Sequence, residues 1–302
     1  MNHDIETEVA AGLSAGGFIG SRGKHALPLG TPCYNCGTPL QGPWCCACGQ
    51  FGGDYHRSAF HLVAEAFESF THADGRLWKT LPHLVWRPAA LTHDYLAGKR
   101  ASQVPPMRMF LVMLLIVFII GSLASSADRV HFADLHIDPN DRASLQGFKI
   151  HIYQPWDAWL NNWGRVHLGR AIDHPDRFVA AMGAWAHDFA FLMLPISALI
   201  LAMLFAFRRR FVLFDHLIFS MHSLAFQGIL FSTWMGLRLV GLPFWQLLFI
   251  SPVHLFFHMR GVYGLGKIST LLRMAVLFVM SSFALGIVML GLLLVGLETL
   301  NE

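Results

Sequence analysis

The stretch Met109–Leu123, MFLVMLLIVFIIGSL, carries no charged side chain. With its flanks it is long enough to cross a hydrocarbon core, which needs ~20 apolar residues. Lipid offers the backbone no hydrogen-bond partners, so such a segment must satisfy its own N–H and C=O groups, and only a helix does so within one run. Four further stretches read the same way: Ala186–Phe207, Phe211–Leu237, Leu239–Phe257 and Leu271–Leu297. The sequence therefore predicts an all-α polytopic membrane protein with about five transmembrane helices. Composition agrees, since 54% of the 302 residues are hydrophobic, 14% are charged and the mean hydropathy is +0.47. A soluble globule of this size is less apolar.

Charge placement gives an expected topology. The formal net charge of +3 is too small to argue for a nucleic-acid partner. Lys99, Arg100 and Arg108 precede the first span, Arg208, Arg209 and Arg210 join the second to the third, and Arg260, Lys267 and Arg273 join the fourth to the fifth. Basic short loops stay in the cytosol, so the N-terminus is expected inside and the C-terminal LETLNE outside. The opening MNHDIETEVAAG has Asp4, Glu6 and Glu8 but no basic leader or apolar core, which argues against a cleaved signal peptide.

Along the chain, residues 1–30 lack helical or strand periodicity and read as flexible. Residues 31–50 form a cysteine-rich module. Residues 51–105 read as cytosolic or interfacial amphipathic helices. In RSAFHLVAEAFESFTH (57–72) one face carries Phe60, Val63, Phe67 and Phe70, while GRLWKTLPHLVWRP mixes tryptophans with cations as headgroup-boundary helices do, with Pro82 expected to break or kink it. Residues 106–302 form the membrane domain, with an extracytoplasmic insertion over 127–184. That insertion holds a hairpin candidate, HFADLHID with FKIHIY, then a Trp-rich helix, then a helix starting at Pro175 behind a cap at Asp173 or His174.

All five cysteines fall in CYNCGTPLQGPWCCACGQ, as Cys33-x2-Cys36 and Cys45-x2-Cys48, with Cys46 left over as a spectator. Two CxxC turns aim four sulfurs at one centre and complete the tetrahedral thiolate shell that zinc prefers. Gly37 and Gly49 follow the pairs and suit tight turns. The alternatives are disulfides or idle thiols, and disulfides would need an oxidising compartment. Four protein ligands leave the metal no open position, so the expected cofactor is a structural zinc in a ribbon at residues 31–50.

A second group is polar residues inside the apolar segments. Asp215 and His222 lie seven apart on one face of span three, with His216 about 100° round from Asp215, and His254 and His258 stand at i and i+4 on span four. Such groups pair with neighbouring helices or headgroups, or they relay protons or bind a metal. Neither Walker loop, GxSxG, HExxH nor dinucleotide fingerprint is present, so no catalytic residue is assigned. Gly286, Gly291 and Gly296 are read as sites of close helix packing.

Several pieces together resemble an uncharacterised bacterial membrane family, domain of unknown function 3667. They are the ribbon ending in CGQ, PAALTHDYLAGKR from Pro88 to Arg100, Pro105, the pair Asp215-His216 with His222, and RGVYG from Arg260 to Gly264. The resemblance implies a bacterial inner (plasma) membrane location but no reaction. The expected function is an accessory or scaffold protein whose ribbon docks a cytosolic partner or the chain's own membrane face, with the bilayer as the other partner. The alternatives are a solute, ion or proton transporter using Asp215, His216, His222, His254 and His258, or a metal-dependent membrane enzyme at the same cluster.

Overall fold

The computed structural model describes residues 27–53, 76–127, 156–208, 210–242 and 244–299. Eight α-helices follow the ribbon among these residues: α1 (Arg76–Trp86), α2 (Pro88–Leu96), α3 (Pro106–Ala127), α4 (Trp156–Asp173), α5 (Pro175–Leu204), α6 (Leu213–Leu239), α7 (Ile250–Tyr263) and α8 (Lys267–Thr299). A short 3-10 turn, Trp245–Phe249, precedes α7. The all-helical reading holds for the described residues. The amphipathic stretch 57–72, the hairpin candidate and residues 1–26 lie outside them.

The expected five spans become two or three. Pro106–Leu123 of α3 and Lys267–Thr299 of α8 are long and apolar enough to cross a membrane, and α5 is a third only if Ala180–Ala186 and Asp188–Leu204, set at 42°, count as one broken span. The third expected span does form a helix, α6, of 27 residues, about 40 Å long. Its composition disqualifies it, because Asp215, His216, His222 and Gln227 dilute the apolar residues. The fourth is not one helix. A turn at Val240–Leu242 and the 3-10 segment interrupt it, leaving α7 with 14 residues, about 21 Å against a core of ~30 Å.

α6 instead serves as the centre on which the other helices pack. Phe214, Ile218 and Met221 meet Tyr95 of α2, Met107 and Phe110 of α3 and Leu194 of α5. Further along, Ala225, Phe226 and Leu230 pack with Met109 and Met113 of α3 and Leu84 of α1. A Cβ on Gly228 would sit 3.2 Å from Met113 Cβ, so the backbones of α6 and α3 approach closely there. α8 lies along α5. Gly291 and Gly296 permit that contact, since added Cβ atoms would reach Phe189 at 3.0 Å and Met182 at 2.8 Å, whereas Gly286 faces open space. The other side of α8 exposes Ile268, Leu272, Phe278, Val279 and Phe283. Those side chains suit lipid rather than water.

At the other end of the insertion, α4 forms as expected. Trp159, Trp163 and His167 stack in sequence along it, with centroids 6.5 and 4.5 Å apart. Trp163 Nε1 donates to Glu298 Oε1 at 2.9 Å, fastening α4 to the end of α8. Helix α5 begins at Pro175 behind His174, but no side chain completes the cap. Pro82 does not break α1, which runs through it to Trp86.

Candidate functional site

The cysteines build two matching knuckles. In the first, Cys33 N donates to Thr38 O at 2.9 Å and Gly37 N to Cys33 O at 2.9 Å; in the second, Cys45 N donates to Gln50 O at 2.8 Å and Gly49 N to Cys45 O at 2.9 Å. Gly37 and Gly49 hold φ of 76° and 71°, a left-handed conformation that a side chain disfavours. Each knuckle is closed by an isolated antiparallel bridge, Pro32 to Pro39 and Trp44 to Phe51. Leu40 is buried between the two, with Cys33 and Cys45.

The knuckles bring Sγ of Cys33, Cys36, Cys45 and Cys48 within 4.8 Å of one another. Cys33 and Cys48 are 3.6 Å apart and Cys36 and Cys45 are 3.5 Å apart. Those are not disulfides, which need ~2.05 Å. A tetrahedral thiolate shell at a zinc–sulfur distance of ~2.3 Å places its sulfurs about 3.8 Å apart, so the four can hold a metal ion. Hydrogen bonding to Thr38 holds the Cys36 thiol down to about 6, while burial pushes Cys48 up to about 11. Cys46 is exposed and outside the group.

One residue past the last knuckle, Gln50 reaches out of the ribbon. Its Nε2 donates to Gly98 O at 2.8 Å, and its Oε1 accepts from Arg100 N at 3.0 Å and Ala101 N at 2.9 Å. The side chain is 5% exposed. Gly98 takes φ 92°, and a Cβ there would lie 3.3 Å from Tyr34, so the ribbon also packs on the turn that Gln50 grips. That turn ends α2 and leads into α3. It is braced by Lys99 Nζ on Asp94 Oδ1 at 2.7 Å, by Arg100 over the Tyr95 ring at 4.9 Å, and by Val104 N on Thr80 Oγ1 at 3.1 Å.

The expected Asp/His cluster separates into three parts. All five residues are buried, at 6% exposure or less. Asp215 Oδ2 accepts from Val212 N at 3.1 Å and so closes the first turn of α6. His216 Nδ1 meets Tyr263 Oη at 2.8 Å, in a stack where Phe205 lies 4.0 Å from the Tyr263 ring. Asp215-His216 and the tyrosine of RGVYG therefore belong to one packing unit. His222 and His258 meet Thr92, which lies in the PAALTHDYLAGKR stretch but has no role assigned by the sequence. His254 stacks on Phe226, with centroids 3.5 Å apart, and its Nε2 donates to Leu84 O at 2.8 Å. Among the described residues the four thiols are the one group whose ligand atoms converge. A metal site at the Asp/His positions has no such support.

Residues 74–118 match the model of a family described as Protein of unknown function (DUF3667). The resemblance read from the motifs is to that family, and the matching segment covers α1, α2, the turn held by Gln50 and the first part of α3. Comparison with curated proteins and with solved structures gives no match.

Proposed function

We propose that the chain is a bacterial inner-membrane accessory or scaffold protein in which a structural zinc, held by Cys33, Cys36, Cys45 and Cys48, rigidifies a ribbon that clamps the chain's own pre-membrane turn. The carrying observation is the set of three hydrogen bonds from Gln50 to Gly98, Arg100 and Ala101. A side chain two residues from Cys48 holds that geometry best on a rigid knuckle, and bound metal supplies rigidity that a ribbon as short as residues 31–50 cannot draw from a hydrophobic core. A closed thiolate shell does no chemistry of its own, which fits a scaffold better than an enzyme.

The docking has a topological corollary. The ribbon and the N-terminal end of α3 share one side of the membrane, and under the expected orientation that side is the cytosol. A cytosolic partner would then have to bind a part of the ribbon other than the Gln50 edge, which the chain itself covers.

Hydrogen–deuterium exchange on the full chain in detergent tests the clamp. Replacing Cys33 and Cys36 by Ser should raise exchange at residues 97–105 while the amides of α6 keep their protection. Unchanged exchange over 97–105 in that variant would mean that metal binding does not hold the turn.

A further inference from the structure

Thr92 of α2 is fully buried, and its hydroxyl touches imidazoles from two other helices: His222 Nδ1 of α6 at 2.8 Å and His258 Nε2 of α7 at 2.9 Å. A hydroxyl has one proton to donate. With both rings neutral, Thr92 donates to one and accepts from the other; because it meets Nδ1 of His222 and Nε2 of His258, both rings then carry their proton on Nδ1 or both carry it on Nε2. One of the two outward nitrogens, His222 Nε2 and His258 Nδ1, is then an N–H and the other a bare lone pair. Both are buried and have no hydrogen-bond partner among the described residues.

The next imidazole is also fixed by its bonds. His254 Nε2 faces a carbonyl, Leu84 O, and must be the N–H that donates to it. The neutral ring therefore presents a bare lone pair at Nδ1, which is buried and unpartnered. The His254 and His258 ring centroids are 5.9 Å apart. Burying unpartnered ring nitrogens is destabilising, and apolar side chains of similar volume would avoid that cost. An arrangement that keeps a donor and acceptors in series has a chemical use that a helix tie lacks.

We propose that His222, Thr92 and His258 form a proton relay across the helix core, with His254 as the next acceptor. In one passage a proton binds His222 Nε2, the Nδ1 proton of His222 moves to Thr92 Oγ1, and the hydroxyl proton of Thr92 moves to His258 Nε2. His258 then releases its Nδ1 proton toward His254. One proton enters and one leaves, both rings switch from Nδ1–H to Nε2–H, and reorientation of the rings and the Thr92 hydroxyl restores the start, since reverse transfer would only return the proton. The groups that act on His258 electrostatically are His222 from α6, His254 from its own helix and His93 from α2. Asp215 and His216 are committed to the start of α6 and to Tyr263, so the relay does not need them.

The relay is independent of the ribbon metal, and its test uses the full chain in liposomes holding an internal pH dye under an imposed potassium diffusion potential. Wild type should carry protons, and Thr92→Val, which keeps the shape and removes the hydroxyl, should lower the flux about a hundredfold, the low end of what a positioned proton-transfer group contributes. Thr92→Ser, which restores the hydroxyl, should stay within about twofold of wild type. Wild-type flux no higher than empty liposomes, or equal flux in folded Thr92→Val, would overturn the proposal. Nitrogen-15 NMR of the histidine rings in the wild type gives a second reading that needs no variant. The same tautomer at His222 and His258, both Nδ1–H or both Nε2–H, is expected, and opposite tautomers would overturn the relay.

Discussion

Gln50 satisfies three backbone groups with one side chain, across 48 to 51 residues of sequence. Gln50→Ala leaves Gly98 O and the two amides to find other partners, at ~1–3 kcal/mol for each group that stays buried. The variant is expected to keep its metal and to melt earlier than wild type by calorimetry; an unchanged melt would show that the clamp adds no stability. The cysteines were legible because their ligand role is written in local spacing, and Gly37 and Gly49 because a tight knuckle needs φ above zero. The CGQ ending was visible too, but not what Gln50 grips, since no local pattern encodes a contact that distant. Thr92 lies inside PAALTHDYLAGKR, but its partners were not legible, because a threonine between Leu91 and His93 has the same pattern whether it bonds two imidazoles or its own backbone.

At the scale of elements, α7 and α2 lie close enough that a Cβ on Gly261 would run into Ala89. His93 Nε2 and Gly261 O lie 3.2 Å apart across the same contact. Gly261→Ala must push the helices apart or distort them, an overpacking penalty of ~1–3 kcal/mol. It should lower the melting temperature and disturb the His258–Thr92 geometry, whereas a variant as stable as wild type would show that the contact yields freely. Apolar run length made α3, α5, α6 and α8 visible in the sequence. It did not separate a lipid-crossing helix from a protein-packed one. α6 was read as a span because its apolar residues outnumber its polar ones, yet many of those residues pack on α2, α3 and α5, and its buried histidines bond Thr92 and Tyr263. Of the three glycines at that interval, Gly291 and Gly296 sit at close helix contacts and Gly286 faces open space.

For the whole molecule, the number of crossings decides where the ends lie. Two spans return the chain to its starting side, while three carry it across, so a cytosolic N-terminus with an extracytoplasmic C-terminus requires the bent α5 to cross as one unit. The basic residues around α3 and between α5 and α6 favour that arrangement. Epitope tags at the two termini should therefore differ in protease accessibility in sealed spheroplasts. Equal accessibility would fix two crossings and leave α5 packed at one face. The central claim, that a metal-built ribbon clamps the membrane domain, is tested most directly by elemental analysis of detergent-purified full-length protein beside its Cys33→Ser, Cys36→Ser variant. One zinc per wild-type chain and none in the variant are expected, with helical circular dichroism retained in both. Wild-type protein without stoichiometric zinc, or zinc retained after loss of both cysteines, would contradict it.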